Sequence, residues 1–128
     1  MARRRSVVAV VDDDVRLLES LEDLLESAGH SVRLFSSGTS LLENDNLSEI
    51  DCLVSDVGMP VMDGFKLRGL VQAARPELPV ILITGRHEIA DQQREIGQGY
   101  QSFFRKPFDG QALLAAITQA LRTRSGDT

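Results

Sequence analysis

The sequence has few of the features that mark disulfide-rich, zinc-binding or membrane proteins. Its 128 residues include one cysteine, Cys52, and no tryptophan. A single cysteine excludes a disulfide framework and a four-cysteine zinc site, and it suits a reducing compartment. No apolar run approaches the roughly 20 residues of a membrane span, and the run Val7–Val11 after the basic residues 3–5 is too short for a signal peptide. We therefore expect a cytoplasmic protein without a membrane partner.

Positive charge is scarce as well. The chain has 14 basic residues against 19 acidic ones, which gives a net charge of −5. This balance argues against nucleic acid as the main partner, because nucleic acids attract basic surfaces. The hydrophobic fraction of 42% is ordinary for a packed domain. The length fits one domain, and we assign residues 1–6 to a basic arm, 7–122 to the domain and 123–128 to a C-terminal tail or the start of a linker.

Short apolar runs recur along the chain and predict strands. Three of them, Val7–Val11, Cys52–Val54 and Val80–Ile83, are rich in β-branched residues and show no alternation of apolar and polar residues. That pattern is typical of strands buried on both faces of a parallel sheet. Two weaker runs, Ser31–Phe35 and Ser102–Arg105, are predicted to be edge strands.

Helical patterns lie between these runs. Apolar stripes at helical spacing lie within residues 17–28, 67–74 and 113–121 and each predicts a helix, and further helices are predicted over 38–45 and 87–96. Asp14 and Asp109 are suitable N-caps, and Gly29 is a suitable helix stop. The alternation predicts a doubly wound, flavodoxin-like (βα)5 domain of class α/β, with a five-stranded parallel sheet of order 2-1-3-4-5 and helices on both faces.

Chemically active side chains follow four of the predicted strands. Asp12 and Asp13 follow the first, Asp56 the third, Thr84 the fourth and Lys106 the fifth. The carboxyl ends of parallel strands share one edge of the sheet, so these groups should meet. Three carboxylates in a partly desolvated site repel, so that one takes a proton or a cation lies among them. Oxygen ligands without histidine or cysteine select a hard cation, and room for water favours Mg²⁺, so the set suits phosphoryl transfer to a carboxylate.

Four motifs carry a resemblance to a known family. They are Val11-Asp-Asp-Asp14, Asp56-Val-Gly-Met-Pro-Val-Met-Asp-Gly64, Ile83-Thr-Gly85 and Phe103-Phe-Arg-Lys-Pro-Phe108. In this order and spacing the chain resembles the receiver domains of two-component response regulators, from Val7 to about Arg122. The nitrogen-fixation and nitrogen-regulation receivers are especially similar in the segments around the threonine and the lysine.

The resemblance implies a phosphorylation-regulated signalling domain that catalyses its own phosphotransfer and dephosphorylation but is not otherwise an enzyme. Asp56 would be the phosphoacceptor, and the phosphodonor would be the phosphohistidine of a sensor histidine kinase. Asp13, Asp56 and the backbone carbonyl of Gly58 would bind Mg²⁺, and Asp12 would act through water. Lys106 would pair with the phosphoryl group.

The resemblance also implies a switch. Thr84 would move to bond a phosphoryl oxygen, Phe103 would turn inward, and the bond from Lys106 to Pro107 would be cis. The changed surface, formed by the fourth helix, fifth strand and fifth helix of the family's α4-β5-α5 order, would engage an output domain or a downstream partner, with a second copy of the chain as one candidate. The residues that flank the approach of water to the phosphoryl group would be Gly58 and Arg86, and they would tune dephosphorylation.

Two alternatives belong to other functional classes. A flavin-binding module of the same architecture needs a loop after the first strand that offers backbone N–H groups to a phosphate, whereas Asp12–Asp14 would repel one. A pseudo-receiver, an interaction module that works without phosphorylation, remains the main alternative. Every position that phosphorylation requires is filled in this chain, which favours the phosphoacceptor.

Overall fold

The computed structural model describes residues 5–43, 46–84, 103–106 and 108–124. The strands are β1 (Val7–Val11), β2 (Ser31–Phe35), β3 (Cys52–Asp56), β4 (Val80–Thr84) and β5 (Phe103–Arg105). The helices are α1 (Val15–Ser27), α2 (Gly38–Leu42), a 3-10 helix (Asn46–Glu49), α3 (Gly64–Ala74) and the C-terminal helix (Gly110–Arg124). All strand pairs are parallel, and the five strands lie in the order β2-β1-β3-β4-β5. The predicted fold class and strand order are therefore confirmed.

Successive residues of the central strands enter two separate cores. Val8 and Val10 of β1 pack with α1 and the C-terminal helix on one face of the sheet. Ala9 and Val11 of the same strand pack with α2 and α3 on the other face. Side chains alternate between the faces of a strand, and both faces of this sheet are covered, so both sets are apolar. This burial explains the unbroken apolar runs in the sequence.

Local signals begin and end the helices at the expected residues. The side chain of Asp14 accepts a hydrogen bond from the N–H of Arg16 at the start of α1, and Asp109 caps the C-terminal helix in the same way. At the end of α1, Gly29 has a φ of +94°, and the N–H of the next residue, His30, donates to the carbonyl of Leu25. This closure is the Schellman arrangement, in which glycine takes the left-handed position. The predicted caps and stop are confirmed.

Some predicted boundaries differ from the structure. Helix α2 ends at Leu42 instead of residue 45, and the 3-10 helix Asn46–Glu49 was not predicted from the sequence. The C-terminal helix continues to Arg124, beyond the last residue of the apolar stripe at 121. The predicted helix over 87–96 lies outside the described residues.

Helix α3 begins in direct contact with the end of β3. Its cap is Asp63, whose side chain accepts a hydrogen bond from the N–H of Lys66 at 2.8 Å. The N–H of Gly64 donates to the carbonyl of Val57 at 2.9 Å. A Cβ atom at position 64 would stand closer than 3.0 Å to the carbonyl oxygen of Asp56 and to the Cα of Val57. Only glycine allows the helix to approach this backbone so closely.

Replacement of Gly64 by alanine should therefore lower the free energy of unfolding by about 2 kcal/mol, since the contacted atoms are backbone and cannot yield cheaply. Gly69→Ala is the matched control, because it lies in the same helix and a Cβ there would meet nothing within 4 Å. In that variant the free energy of unfolding should rise by up to about 1 kcal/mol, because alanine has a higher helix propensity than glycine. Urea unfolding of both variants measures the difference. Equal stability of the two variants would contradict the close approach of α3 to β3.

Candidate functional site

Backbone hydrogen bonds between neighbouring strands continue beyond the strand ends and fix the positions of the candidate site residues. The N–H of Asp12, just after β1, donates to the carbonyl of Phe35 in β2 at 3.1 Å. The N–H of Lys106, just after β5, donates to the carbonyl of Thr84 in β4 at 2.8 Å. Asp56 and Thr84 are the last residues of β3 and β4. The parallel sheet thus delivers these residues to one edge, as predicted.

Three carboxylates meet at this edge. One oxygen from each of Asp12, Asp13 and Asp56 can be chosen so that all three lie within 4.8 Å of one another. Asp12 and Asp56 are buried, whereas Asp13 is exposed and leaves the cluster open to solvent. Three oxygen donors with an open side and no nitrogen or sulfur ligand fit a hard divalent cation that keeps part of its water shell.

Lys106 provides a positive charge inside the cluster. Its Nζ lies 3.1 Å from Oδ1 of Asp56 and 3.4 Å from Oδ2 of Asp12. Partial burial alone would lower the pKa of Lys106, but attraction by the carboxylates of Asp12 and Asp56 outweighs it and raises the pKa. The ammonium therefore stays charged and links two buried carboxylates that would otherwise repel.

The carboxyl group of Asp12 is held in an unfavourable environment for a charge. Burial above all, together with the negative charge of Asp56, raises its pKa from 3.8 to about 6, although a hydrogen bond from the N–H of Asp14 and the nearby ammonium of Lys106 act in the opposite direction. Asp12 therefore retains a proton more readily than an ordinary aspartate. Repulsion by a neighbouring carboxylate, that of Asp56, contributes to this shift, but burial is the larger cause.

For the other predicted site residues the structure gives only burial or position in a strand, and two of them lie outside its described parts. Thr84 is fully buried, and Gly58 is exposed in the loop between β3 and α3. Phe103 is the first residue of β5 and pairs with Leu82. Arg86 and Pro107 lie outside the described residues, so the role of Arg86 in dephosphorylation and the cis bond before Pro107 stay predictions.

Two residues that shape the site were not predicted from the sequence to have a role there. Asp63 caps α3, and Gly64 lets that helix contact the backbone of Asp56. Both lie inside a motif quoted for the resemblance. An aspartate followed by glycine immediately before a helical pattern was the available signal, because that pair suits an N-cap and a close approach of the backbone.

Comparisons with known proteins agree with the fold and with the motifs. Residues 8–118 match the family profile described as "Response regulator receiver domain". The response regulator TodT of Pseudomonas putida is 38% identical over 95% of this chain and 54% of its own length. The transcriptional regulatory protein FixJ of Bradyrhizobium diazoefficiens is 34% identical over 90% of this chain and 56% of its own length. The chain thus spans about half the length of these curated relatives.

A solved structure gives the same result. The response regulator receiver domain protein of Clostridium thermocellum superimposes with a TM-score of 0.82 at 28% identity, over 94% of this chain and 97% of the other. Within the described parts of the chain, no helix is long and apolar enough to cross a membrane.

The pKa of Asp12 leads to a prediction for the metal-free protein. In the unfolded chain the group ionises near 3.8, and in the folded chain near 6. As the pH rises through this interval the unfolded state loses its proton first, so the contribution to stability falls, by at most about 3 kcal/mol. Asp12→Asn keeps an acceptor for the N–H of Asp14 and cannot titrate. Urea unfolding in EDTA should show wild-type stability decreasing relative to this variant as pH rises from 3.8 to about 6. A constant difference between the two proteins would be inconsistent with the raised pKa.

Proposed function

The chain belongs to the response regulator receiver domain family, and we propose that Asp56 is the carboxylate on which it accepts a phosphoryl group. The observation that carries this proposal is the position of the Asp56 side chain. It ends β3, is buried beside the carboxylate cluster, and has the Nζ of Lys106 3.1 Å from one of its oxygens. Lys106 lies nearer to Asp56 than to Asp12, and Asp13 is exposed at the open side of the cluster, which favours Asp56 as the nucleophile.

The proposed phosphodonor is the phosphohistidine of a sensor histidine kinase. An oxygen of Asp56 attacks phosphorus, the new P–O bond forms, and the P–N bond to the imidazole breaks. The electron pair of that bond stays on the ring nitrogen, and the ring leaves as neutral imidazole when its other nitrogen carries a proton. The product is an aspartyl phosphate, as in other covalent transfers to a carboxylate.

Lys106 and Thr84 would stabilise the product. Before transfer the ammonium of Lys106 is shared between Asp12 and Asp56. After transfer it would pair with phosphoryl oxygens, because these carry the charge that the carboxylate of Asp56 no longer has. Thr84, at the end of the adjacent strand, would move so that its hydroxyl donates to a phosphoryl oxygen. Phe103 would then turn inward into the space that the Thr84 side chain leaves.

A divalent cation of the Mg²⁺ type fits the residues at this edge. Asp13, Asp56 and the backbone carbonyl of Gly58 would hold it, and Asp12 would contribute through water, in agreement with the oxygen-only donor set of the cluster. When bound, such an ion supplies positive charge to the phosphoryl oxygens. The protein's own part is to keep the carboxylates together and to leave the Asp13 side accessible.

We further propose that the domain works in signalling, with an output domain or a downstream partner, instead of in metabolism. FixJ and the other relatives that are named as transcriptional regulators are longer than this chain. A receiver would pass its state to such a partner through the surface of its fourth helix, fifth strand and fifth helix. The intact carboxylate cluster with its lysine favours phosphorylation over the pseudo-receiver alternative.

The phosphoacceptor is tested by removal of one carboxylate. Asp56→Asn should abolish phosphorylation by acetyl phosphate, because an amide oxygen does not form a stable acyl phosphate. Asp63→Asn is the control, since it makes the same change of charge in the same loop and asparagine caps α3 equally well. Phosphate incorporation is followed by Phos-tag electrophoresis. Full incorporation into Asp56→Asn would assign the site to another residue.

The cation site is tested by two neighbouring aspartates. Asp13→Asn should weaken Mg²⁺ binding at least about tenfold, since loss of a supporting partner alone often costs that much. Asp14→Asn makes the same change of charge one residue along, and its side chain only caps α1, where asparagine serves as well. Titration with MgCl₂ followed by NMR measures both affinities. If both variants weaken binding equally, general charge accounts for the affinity and Asp13 is not a ligand.

A further inference from the structure

A strained turn interrupts the loop between β3 and α3. Val61 has a φ of +69°, and it is the one residue other than glycine with a positive φ in the described parts of the chain. The N–H of Met62 donates to the carbonyl of Pro60 at 2.7 Å, which closes a γ-turn around Val61. A γ-turn with positive φ at its central residue is rare and strained, and a β-branched side chain at that residue increases the steric strain.

Packing does not explain why valine occupies this position. The Val61 side chain is 99% exposed, so it contributes nothing to either core. Its neighbours on both sides anchor the loop instead, because Met59 is buried and Met62 packs against the same cluster. Glycine or asparagine at position 61 would adopt this φ with less strain and would lose no contact.

The position of the turn suggests what the side chain contacts. Val61 follows Asp56 by five residues in the same loop. A protein that brings a phosphohistidine ring to Asp56 must cover the loops around that carboxylate, because the reacting atoms have to approach within about 3.5 Å. Small phosphodonors have no such surface and would not contact Val61.

The other exposed apolar side chains support the same location. Within the described residues the large exposed hydrophobic side chains are Val15, Val61 and Leu70. Val15 follows Asp13 by two residues, so two of the three adjoin the carboxylate cluster along the chain. The cluster itself is acidic and well solvated at Asp13, so apolar contact with a partner has to come from residues around it. Leu70 lies in α3, away from these loops in sequence.

We propose that Val61 is an apolar contact residue for the phosphohistidine-bearing protein that phosphorylates Asp56. This inference rests on the proposed function. The γ-turn presents the side chain to solvent, and the loop is anchored on either side by Met59, which is buried, and by Met62, which packs against the same core. The strain is retained because the residue serves recognition of the donor protein and not the stability of the fold.

The experiment compares a protein donor with a small one. Each histidine kinase of the genome that encodes this chain is autophosphorylated with radiolabelled ATP, and the kinase that labels the wild-type chain fastest is kept as the donor. Val61→Asn tolerates the turn and removes the apolar group. It should lower the rate of transfer from that kinase about tenfold, which is the effect of one well-packed interface side chain. Labelling by acetyl phosphate should stay at the wild-type rate, and the melting temperature should not fall.

Two control variants accompany it. Val61→Ile keeps an apolar β-branched side chain and should retain transfer from the kinase. Leu70→Gln removes the exposed apolar side chain of α3 and should leave both donors unaffected.

Each outcome decides the matter. Wild-type transfer from the kinase to Val61→Asn would overturn the inference and leave the proposed function intact. Equal losses with kinase and acetyl phosphate would also overturn it, since the residue would then act on the site itself. If acetyl phosphate labels the wild-type chain and no kinase does, the protein donor is wrong and the inference fails with it. If neither donor labels the wild-type chain, the proposed function itself fails.

Discussion

The arrangement of this site depends on one ammonium group shared by two buried carboxylates. Asp12 and Asp56 are both nearly inaccessible to solvent, and Lys106 reaches both of them. Without that cation, two negative charges at adjacent strand ends would oppose folding, and even with it burial, together with the charge of Asp56, raises the pKa of Asp12 to about 6. A site in this condition favours whatever brings positive charge or removes negative charge. A divalent cation is such a change, whereas a phosphoryl group on Asp56 would add negative charge that the cation and Lys106 would have to offset.

The fold supplies the geometry through the parallel sheet, and the loop after β3 completes it. Gly64 allows α3 to contact the backbone of Asp56. Met59 and Met62 anchor the same loop from beneath, and between them Val61 is held in a conformation that its side chain disfavours. The segment that carries the proposed phosphoacceptor is therefore closely packed on its inner side and strained on its outer side. Such strain persists only where the surrounding packing imposes it.

Much of this architecture could be predicted from the sequence, because β1, β3 and β4 are apolar on both faces and so differ clearly from the helices between them. The cap Asp14 and the stop Gly29 are local signals that need no tertiary information. The proximity of the polar residues that follow the strands could also be predicted, because the carboxyl ends of parallel strands lie at one edge of the sheet. Their family roles came from the resemblance and not from this spacing.

Other features could not be predicted, for physical reasons. The early end of α2 at Leu42 and the 3-10 helix after it depend on tertiary contacts such as the hydrogen bond from Arg33 to Asn46. The left-handed conformation of Val61 contradicts the preference of valine and arises from the anchored methionines around it. The pKa of Asp12 depends on burial, which no short motif encodes.

The central claim is that Asp56, paired with Lys106, is the residue that carries the phosphoryl group. Reduction of the phosphorylated chain with borohydride tests it most directly, because hydride converts an aspartyl phosphate to homoserine and leaves free aspartate unchanged. Peptide mass spectrometry then reads the position of the new residue. The account predicts homoserine at position 56 alone. Homoserine at position 12 or 13, with aspartate intact at 56, would contradict it.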